Sequence, residues 1–297
     1  MLHSRARLSY GRLFFGVLRR AAECFALFQS PQYSRIAFVD ARSALLRILW
    51  LAVLFAGLVQ PGAAQAQQQD FDVDVVDLLK RIDANLFPAS GQLFIRIHNE
   101  TPRGPGVETS LYAARDGGER WAALIAAPAS LKGRTLMRQG DEMRVRLPGE
   151  LGYRHQGWVD SFVGGSFGNV DLFPEPWSDA FDAVVQGRAG PLANLVLTPK
   201  DAGRFPFKRL TAVVDVKLAV PIEVRQFGSG NRLIKILHYK DPVPFPYGHT
   251  RPRVVEAING LNTGYSSIME YGDIVDRAFT EADLAFENLP RVGVLLK

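Results

Sequence analysis

Two hydrophobic periods follow one another along the chain. Val75, Val76, Leu78, Leu79, Ile82 and Leu86 recur at spacings of three and four, which predicts one amphipathic helix. Asp70, Asp72 and Asp74 stand at its start and Lys80 and Arg81 toward its end, as the helix dipole favours, and Pro88 ends it. From Gly91 the period becomes two. Leu93, Ile95 and Ile97 alternate with Gln92, Arg96 and His98, although Phe94 puts an apolar group on the second face. The clearest alternation sets Met143, Val145 and Leu147 against Glu142, Arg144 and Arg146, entered through a turn at Gln139-Gly140-Asp141. The run 212–220 reads as one strand continuing past Pro221 into Ile222 and Val224, and 233–239 follows a turn at 228–231. Pro242, Pro244 and Pro246 read as an extended connector before a last hairpin, in which Val254-Val255 and 265–269 flank the turn 259–264. Thr280-Glu281-Ala282-Asp283 can cap a short terminal helix. Serial hairpins of this kind predict a mainly β (α+β) chain with an antiparallel sheet of roughly ten strands, and a sheet that large must curl or split.

The formal charge of +5 changes the picture only until it is located. Residues 1–66 hold eight Arg against Glu23 and Asp40. Removing these from 35 basic and 30 acidic residues leaves 27 and 28, a formal charge of −1 for the remainder. A basic nucleic-acid surface is therefore not expected. Arg42 and Arg47 precede the uninterrupted apolar run 48–59, and Ala64-Gln65-Ala66 supplies a small-x-small pattern, so 1–66 reads as an extension plus signal peptide cut after Ala66. Twelve residues at about 1.5 Å each fall well short of the roughly 30 Å hydrocarbon core, although an uncleaved segment would act as an inner-membrane anchor. Cys24 is the single cysteine and lies in this leader, so 67–297 forms one domain with no disulfide, no thiol nucleophile and no acylated cysteine.

Chemistry-bearing motifs are sparse. His98, His155, His238 and His249 stand at no metal-ligand spacing, and the sequence contains no HExxH, no GxSxG elbow and no P-loop. Gly164-Gly165-Ser166-Phe167-Gly168 has the glycine spacing of neither a nucleophile elbow nor a phosphate cradle and reads as a flexible loop. No metal and no cofactor are expected, and the chain reads as a binding protein, not an enzyme. One segment stands out. Trp158, Phe162, Phe167, Leu172, Phe173 and Trp177 are interspersed with Gly157, Gly164, Gly165, Gly168, Pro174 and Pro176. Large apolar groups on such a loop are either plugs for one end of the core or a lid over an apolar ligand.

Several stretches together resemble the outer-membrane lipoprotein-sorting proteins, the LolA/LolB-like family: 77–83, 135–148, 165–172, 197–200 and 279–284, in that order across roughly 75–290. The resemblance implies a single curved antiparallel sheet forming an unclosed β-barrel, with helices covering its mouth and acyl chains held in the hollow. It departs from the family at Arg144 and Arg146, where an aromatic pair is usual, and at Gly164-Gly165, expected to loosen the loop. The expected function is a periplasmic carrier or chaperone of lipoproteins or related lipids, with an inner-membrane transporter and an outer-membrane acceptor as partners. Alternatives are an accessory lipid-binding subunit of an RND-type or ABC lipid or hopanoid transporter, and a lipid-directed hydrolase. Met143, Val145, Leu147, Trp158, Phe162, Phe167, Leu172 and Phe173 are the candidate acyl-chain contacts.

Overall fold

A computed structural model describes residues 73–86, 90–245, 248–275 and 277–296. The leader, its cleavage site and Pro88 lie outside the described residues. Among the described residues no helix is long and apolar enough to cross a membrane.

The amphipathic stripe forms helix α1 (Val75–Leu86), burying Leu78, Leu79, Ile82 and Leu86. Its first free N–H groups are capped by Asp74, whose Oδ1 accepts from the amides of Val76 (3.0 Å) and Asp77 (3.1 Å). The strands follow as β1 (Gly91–Thr101), β2 (Gly104–Pro105), β3 (Thr109–Arg115), β4 (Arg120–Ala127), β5 (Thr135–Gln139), β6 (Glu142–Arg146) and β7 (Arg154–Gln156). After a long connector, 157–180, come β8 (Phe181–Ala189), β9 (Leu192–Pro199), β10 (Arg209–Asp215), β11 (Val220–Phe227), β12 (Leu233–Pro244), β13 (Thr250–Asn259) and β14 (Ser266–Val275). The connector carries two single-turn helices, α2 (Asn169–Leu172) and α3 (Trp177–Ala180).

All fourteen strands join one antiparallel sheet in the order β7-β6-β5-β4-β3-β1-β14-β13-β12-β11-β10-β9-β8, with β2 paired only to β1. The pairing of β1 with β14 joins the two ends of the described strand series, so the order runs once around with a single break, between β7 and β8. The break coincides with the connector. The sheet is an unclosed barrel, and the aromatic segment is the piece of chain that spans from one free edge to the other.

The main core occupies the inner face, where Ile95, Leu111, Ala123, Leu136, Val145, Leu195, Ala212, Val224 and Val255 meet the buried connector aromatics and α1. A second, smaller cluster lies on the other face of β3–β5. There Ala114, Ala122, Leu124 and Met137 are covered by Phe279, Leu284, Leu289, Val292 and Leu296 of the C-terminal segment, which ends in helix α4 (Val292–Leu295). Thr280–Asp283 makes the expected reciprocal bonds, but around a turn and not at the start of a helix: Thr280 Oγ1 accepts from the Asp283 amide (3.1 Å) and the Asp283 carboxylate accepts from the Thr280 amide (2.8 Å).

Three local expectations are corrected. The run 212–220 is two strands, because Asp215 Oδ1 accepts from the Leu218 amide (2.9 Å) and Ala219 adopts φ 52°, making a turn without glycine. Pro242 and Pro244 are inside β12, paired with Pro252 and Thr250, and not in a connector. Arg144 and Arg146 do not shape the hollow. Arg144 stacks on Tyr153 and Phe286 (4.5 and 4.0 Å to the ring centroids), on the face covered by the C-terminal segment, and Arg146 donates to the Glu150 carbonyl (2.9 Å).

Candidate functional site

Alternation along β6 carries through: Met143 and Val145 are buried, Glu142 is exposed and Arg144 half-buried, with Leu147 partly buried just past the strand. The connector behaves likewise. Trp158, Phe162, Phe167, Leu172, Phe173 and Trp177 are all buried, and Phe173 packs edge-on against Trp121 of β4 (6.0 Å between ring centroids).

Beneath the connector lies a cavity of about 80 Å³. Its apolar wall comes from Leu93 and Ile95 of β1, Val224 of β11, Leu237 of β12, Val255 of β13 and Met269 of β14, with Leu86 of α1. The connector closes it with Phe167, Leu172, Pro174 and Trp177. Of the sequence-nominated contacts, Phe167 and Leu172 border the cavity, whereas Met143, Val145, Leu147, Trp158, Phe162 and Phe173 pack elsewhere in the interior or beside it. The volume is smaller than the void of about 150 Å³ that admits one benzene. The aromatic residues of the connector fill this part of the interior.

The connector is fastened by polar contacts spread along its length. Asn169, fully buried, accepts from the Phe162 amide (3.0 Å) and donates to the Gly157 carbonyl (3.0 Å), tying the loop to itself. Asp171 is held by Lys235 of β12 and by Gln226 of β11 (2.9 Å). Asp83 of α1 accepts from the amides of Trp177 (2.6 Å) and Ser178 (2.8 Å), coupling the helix at the mouth to the connector. Burial raises the Asp83 carboxyl, which these amides only partly offset. Glu175 pairs with Arg138 of β5 and with Arg204 (2.6 Å), which also reaches Asp141 (2.6 Å). Burial raises Glu175 against the pull of the two guanidiniums, and it lowers Arg138 to about 10, still charged at neutral pH.

Gly164-Gly165 does not loosen the loop. Gly165 (φ 75°) lies so close to β1 and β14 that a Cβ would overlap Asn99 Oδ1 and stand 2.6 Å from Ser267 Oγ. The next residue completes the latch, with the Ser166 amide donating to Ser267 Oγ (2.8 Å) and that hydroxyl donating to Asn99 Oδ1 (2.7 Å). Glycine here permits close approach, and the approach immobilises.

The sequence reading missed all the polar groups of the lining, Arg251 among them. Arg251 of β13 lines the cavity and is only 3 % exposed. Its guanidinium lies 4.0 Å from the Tyr271 ring centroid and 5.7 Å from that of Phe245, while Nε and Nη1 have no hydrogen-bond partner. Burial lowers it and Tyr271 raises it. Burial likewise pushes the phenols of Tyr239 and Tyr271 up, keeping both neutral.

A family model described only as "Uncharacterized protein" matches residues 117–289, more than half of the chain. No curated protein matches. Three solved structures share the fold. A LolA-superfamily protein from Nitrosomonas europaea is 19 % identical at TM-score 0.65, the alignment covering 72 % of this chain and 98 % of that one. A DUF1329-family protein from Desulfovibrio piger is 18 % identical at TM-score 0.63, covering 72 % and 97 %. A domain from Vibrio parahaemolyticus described as an outer-membrane lipoprotein-sorting protein is 15 % identical at TM-score 0.62, covering 73 % and 98 %. The chain thus belongs to the family whose model matches residues 117–289, and it shares its fold with the LolA-superfamily protein and the other two solved structures.

Proposed function

We propose that the protein is a periplasmic carrier that shelters the acyl chains of lipoproteins or related lipids on their way toward the outer membrane. The observation that carries this reading is the single break in the strand order, between β7 and β8, spanned by an aromatic segment over a largely apolar cavity. The fold shared with lipoprotein-sorting proteins supports it. The leader would deliver the chain 67–297 to the periplasm, where an inner-membrane transporter loads it and an outer-membrane acceptor unloads it.

The energetics suit a carrier without its own fuel. Burying a methylene is worth about 0.8 kcal/mol, so a sixteen-carbon chain left in water costs on the order of 12 kcal/mol. A hollow that cancels this cost makes hand-over to a bilayer nearly neutral. Because the closed cavity is too small for such a chain, loading requires the connector to swing outward, so that the chain replaces Phe167 and Leu172 against the sheet. Trp158, Phe162 and Phe173 then travel with the connector as its apolar underside, and Met143, Val145 and Leu147 extend the wall exposed behind them. The polar groups of the lining are carboxylates, an amide, phenols and a guanidinium, which hold and orient a ligand.

The test is uptake. Purified protein stripped of lipid should bind a fluorescent fatty acid or a fluorescent acyl peptide, with a blue shift and quenching of connector tryptophan emission. Absence of both at micromolar probe overturns the reading.

A further inference from the structure

We propose, building on the carrier reading, that Arg251 is the anchor for an oxyanion, so that the preferred cargo is an anionic amphiphile with its head held at this residue. A buried guanidinium is ordinarily retained with a carboxylate or carbonyls around it, because its desolvation is otherwise uncompensated. Here it has none: among the described residues no ion pair reaches Arg251, and Nε and Nη1 point at no acceptor although the side chain borders the cavity. The other charges of the lining are already matched, Asp171 by Lys235 and Glu175 by Arg138 and Arg204. One positive charge without a carboxylate partner therefore faces the hollow, beside two phenols and the amide of Gln226.

Its neighbours are built for an oxyanion. Tyr271 lies against the guanidinium and is its one side-chain hydrogen-bond neighbour, leaving Nε and Nη1 unmatched, and the neutral phenols of Tyr239 and Tyr271 line the same cavity. A planar fork of N–H groups flanked by phenols suits the two oxygens of a carboxylate or the oxygens of a phosphate. Position sets the orientation of the bound head. Thr250, adjacent to Arg251, donates its amide to Asn85 Oδ1 of α1 (3.0 Å), which puts the guanidinium at the helix end of the hollow. Asp171, held by Lys235 at the other end of β12 from Val243, the partner of Arg251, borders the same cavity from the connector side. A head at Arg251 leaves its chain to run beneath the connector toward the Asp171 end. The triacylated terminus of a lipoprotein carries ester and amide links and no anion beside its chains, so this site favours a free fatty acid or a phosphate-bearing lipid over that cargo.

The experiment is competition for a dansyl-labelled undecanoic acid bound to the purified protein, using palmitate, palmitoyl lysophosphatidic acid, methyl palmitate and a triacylated peptide. Palmitate or the phosphate lipid should displace the probe at concentrations at least about ten-fold below the methyl ester, and the stronger of the two identifies the source of the oxyanion. Arg251→Gln should lose about ten-fold for the acids and leave the ester within about two-fold, with Arg251→Lys intermediate. Equal displacement by acid and ester on the unaltered protein overturns the inference but leaves the carrier reading standing, and means that buried water alone satisfies Arg251. Failure of every amphiphile to bind overturns both.

Discussion

Arg138 and Arg251 are both buried inside the same sheet, on opposite sides of its β1–β14 seam, and they have opposite surroundings. Arg138 is saturated: its Nε donates to the Gly140 carbonyl (2.7 Å), Nη1 to the Phe173 carbonyl (3.1 Å), Nη2 to Glu175, and its plane rests on Trp158 (4.6 Å). Three of those four partners belong to the connector. Arg251 touches no connector acceptor and keeps two donor nitrogens unmatched. The difference separates two uses of one residue type. The first arginine fastens a movable segment to a fixed strand, and the second is a charge held ready in the wall that the segment covers.

Removing the partner of the saturated arginine should have the largest effect. Glu175→Ala leaves Arg138 buried without its carboxylate and frees Arg204, and it should cost about 3–5 kcal/mol in urea denaturation. A loss below about 1 kcal/mol would mean that the two arginines are equivalent after all. The next test disturbs the connector at a point without charge. In Gly165→Ala the new Cβ meets Asn99 and Ser267 at a left-handed φ, which should cost about 2–3 kcal/mol, and Asn99→Ala in the same chain should recover part of it. Absence of coupling between the two sites in that cycle would show that the latch is not closed in solution. Arg251→Met should do the reverse of Glu175→Ala and raise stability by about 1–2 kcal/mol in lipid-free protein, because it deletes a buried charge that no carboxylate matches and keeps apolar volume. A loss of stability on that substitution would place a partner on the guanidinium and collapse the contrast.

The contrast was half legible in the sequence. Short-range periodicity reported α1, and it reported the inward phase of Met143 and Val145. It also marked the aromatic connector, because bulky apolar groups among glycines are conspicuous wherever they fold. It missed the turn at Asp215–Ala219, where an aspartate and a left-handed alanine do the work of glycine inside a continuous apolar run. It misjudged Gly165, since the atoms that make glycine obligatory there come from Asn99 and Ser267, distant in sequence. Arg251 was illegible for a similar reason. Arg253, in the same alternating phase, is exposed, and Thr250-Arg251-Pro252-Arg253 reads as a polar strand entrance. Only the packing of β12 and β14 beside β13 reveals that one of these two arginines is sealed inside.

The smallest effect separates the two arginines by pH. Asp83 and Glu175 both titrate above their ordinary values in the folded protein because burial disfavours the carboxylate. A raised folded value means that the native state binds protons the unfolded chain does not, so their contribution is present at low pH and is lost as pH rises through the folded values. Asp283 works oppositely: Thr280 lowers it, so its contribution is present above the ordinary carboxylate value and is lost as pH falls through the lowered one. Between about pH 4.5 and 7 the first two groups decide the sign, and lipid-free protein should melt no lower at about pH 5 than at about pH 7.5. Glu175→Gln should flatten that slope, since it removes one of the two titrating groups. Arg251→Met should shift the whole curve upward without changing its slope, because among the described residues no ion pair couples the guanidinium to a titrating carboxylate. If Arg251→Met changes the slope instead, an acid reaches Arg251 in solution, and its charge is already matched before any lipid arrives.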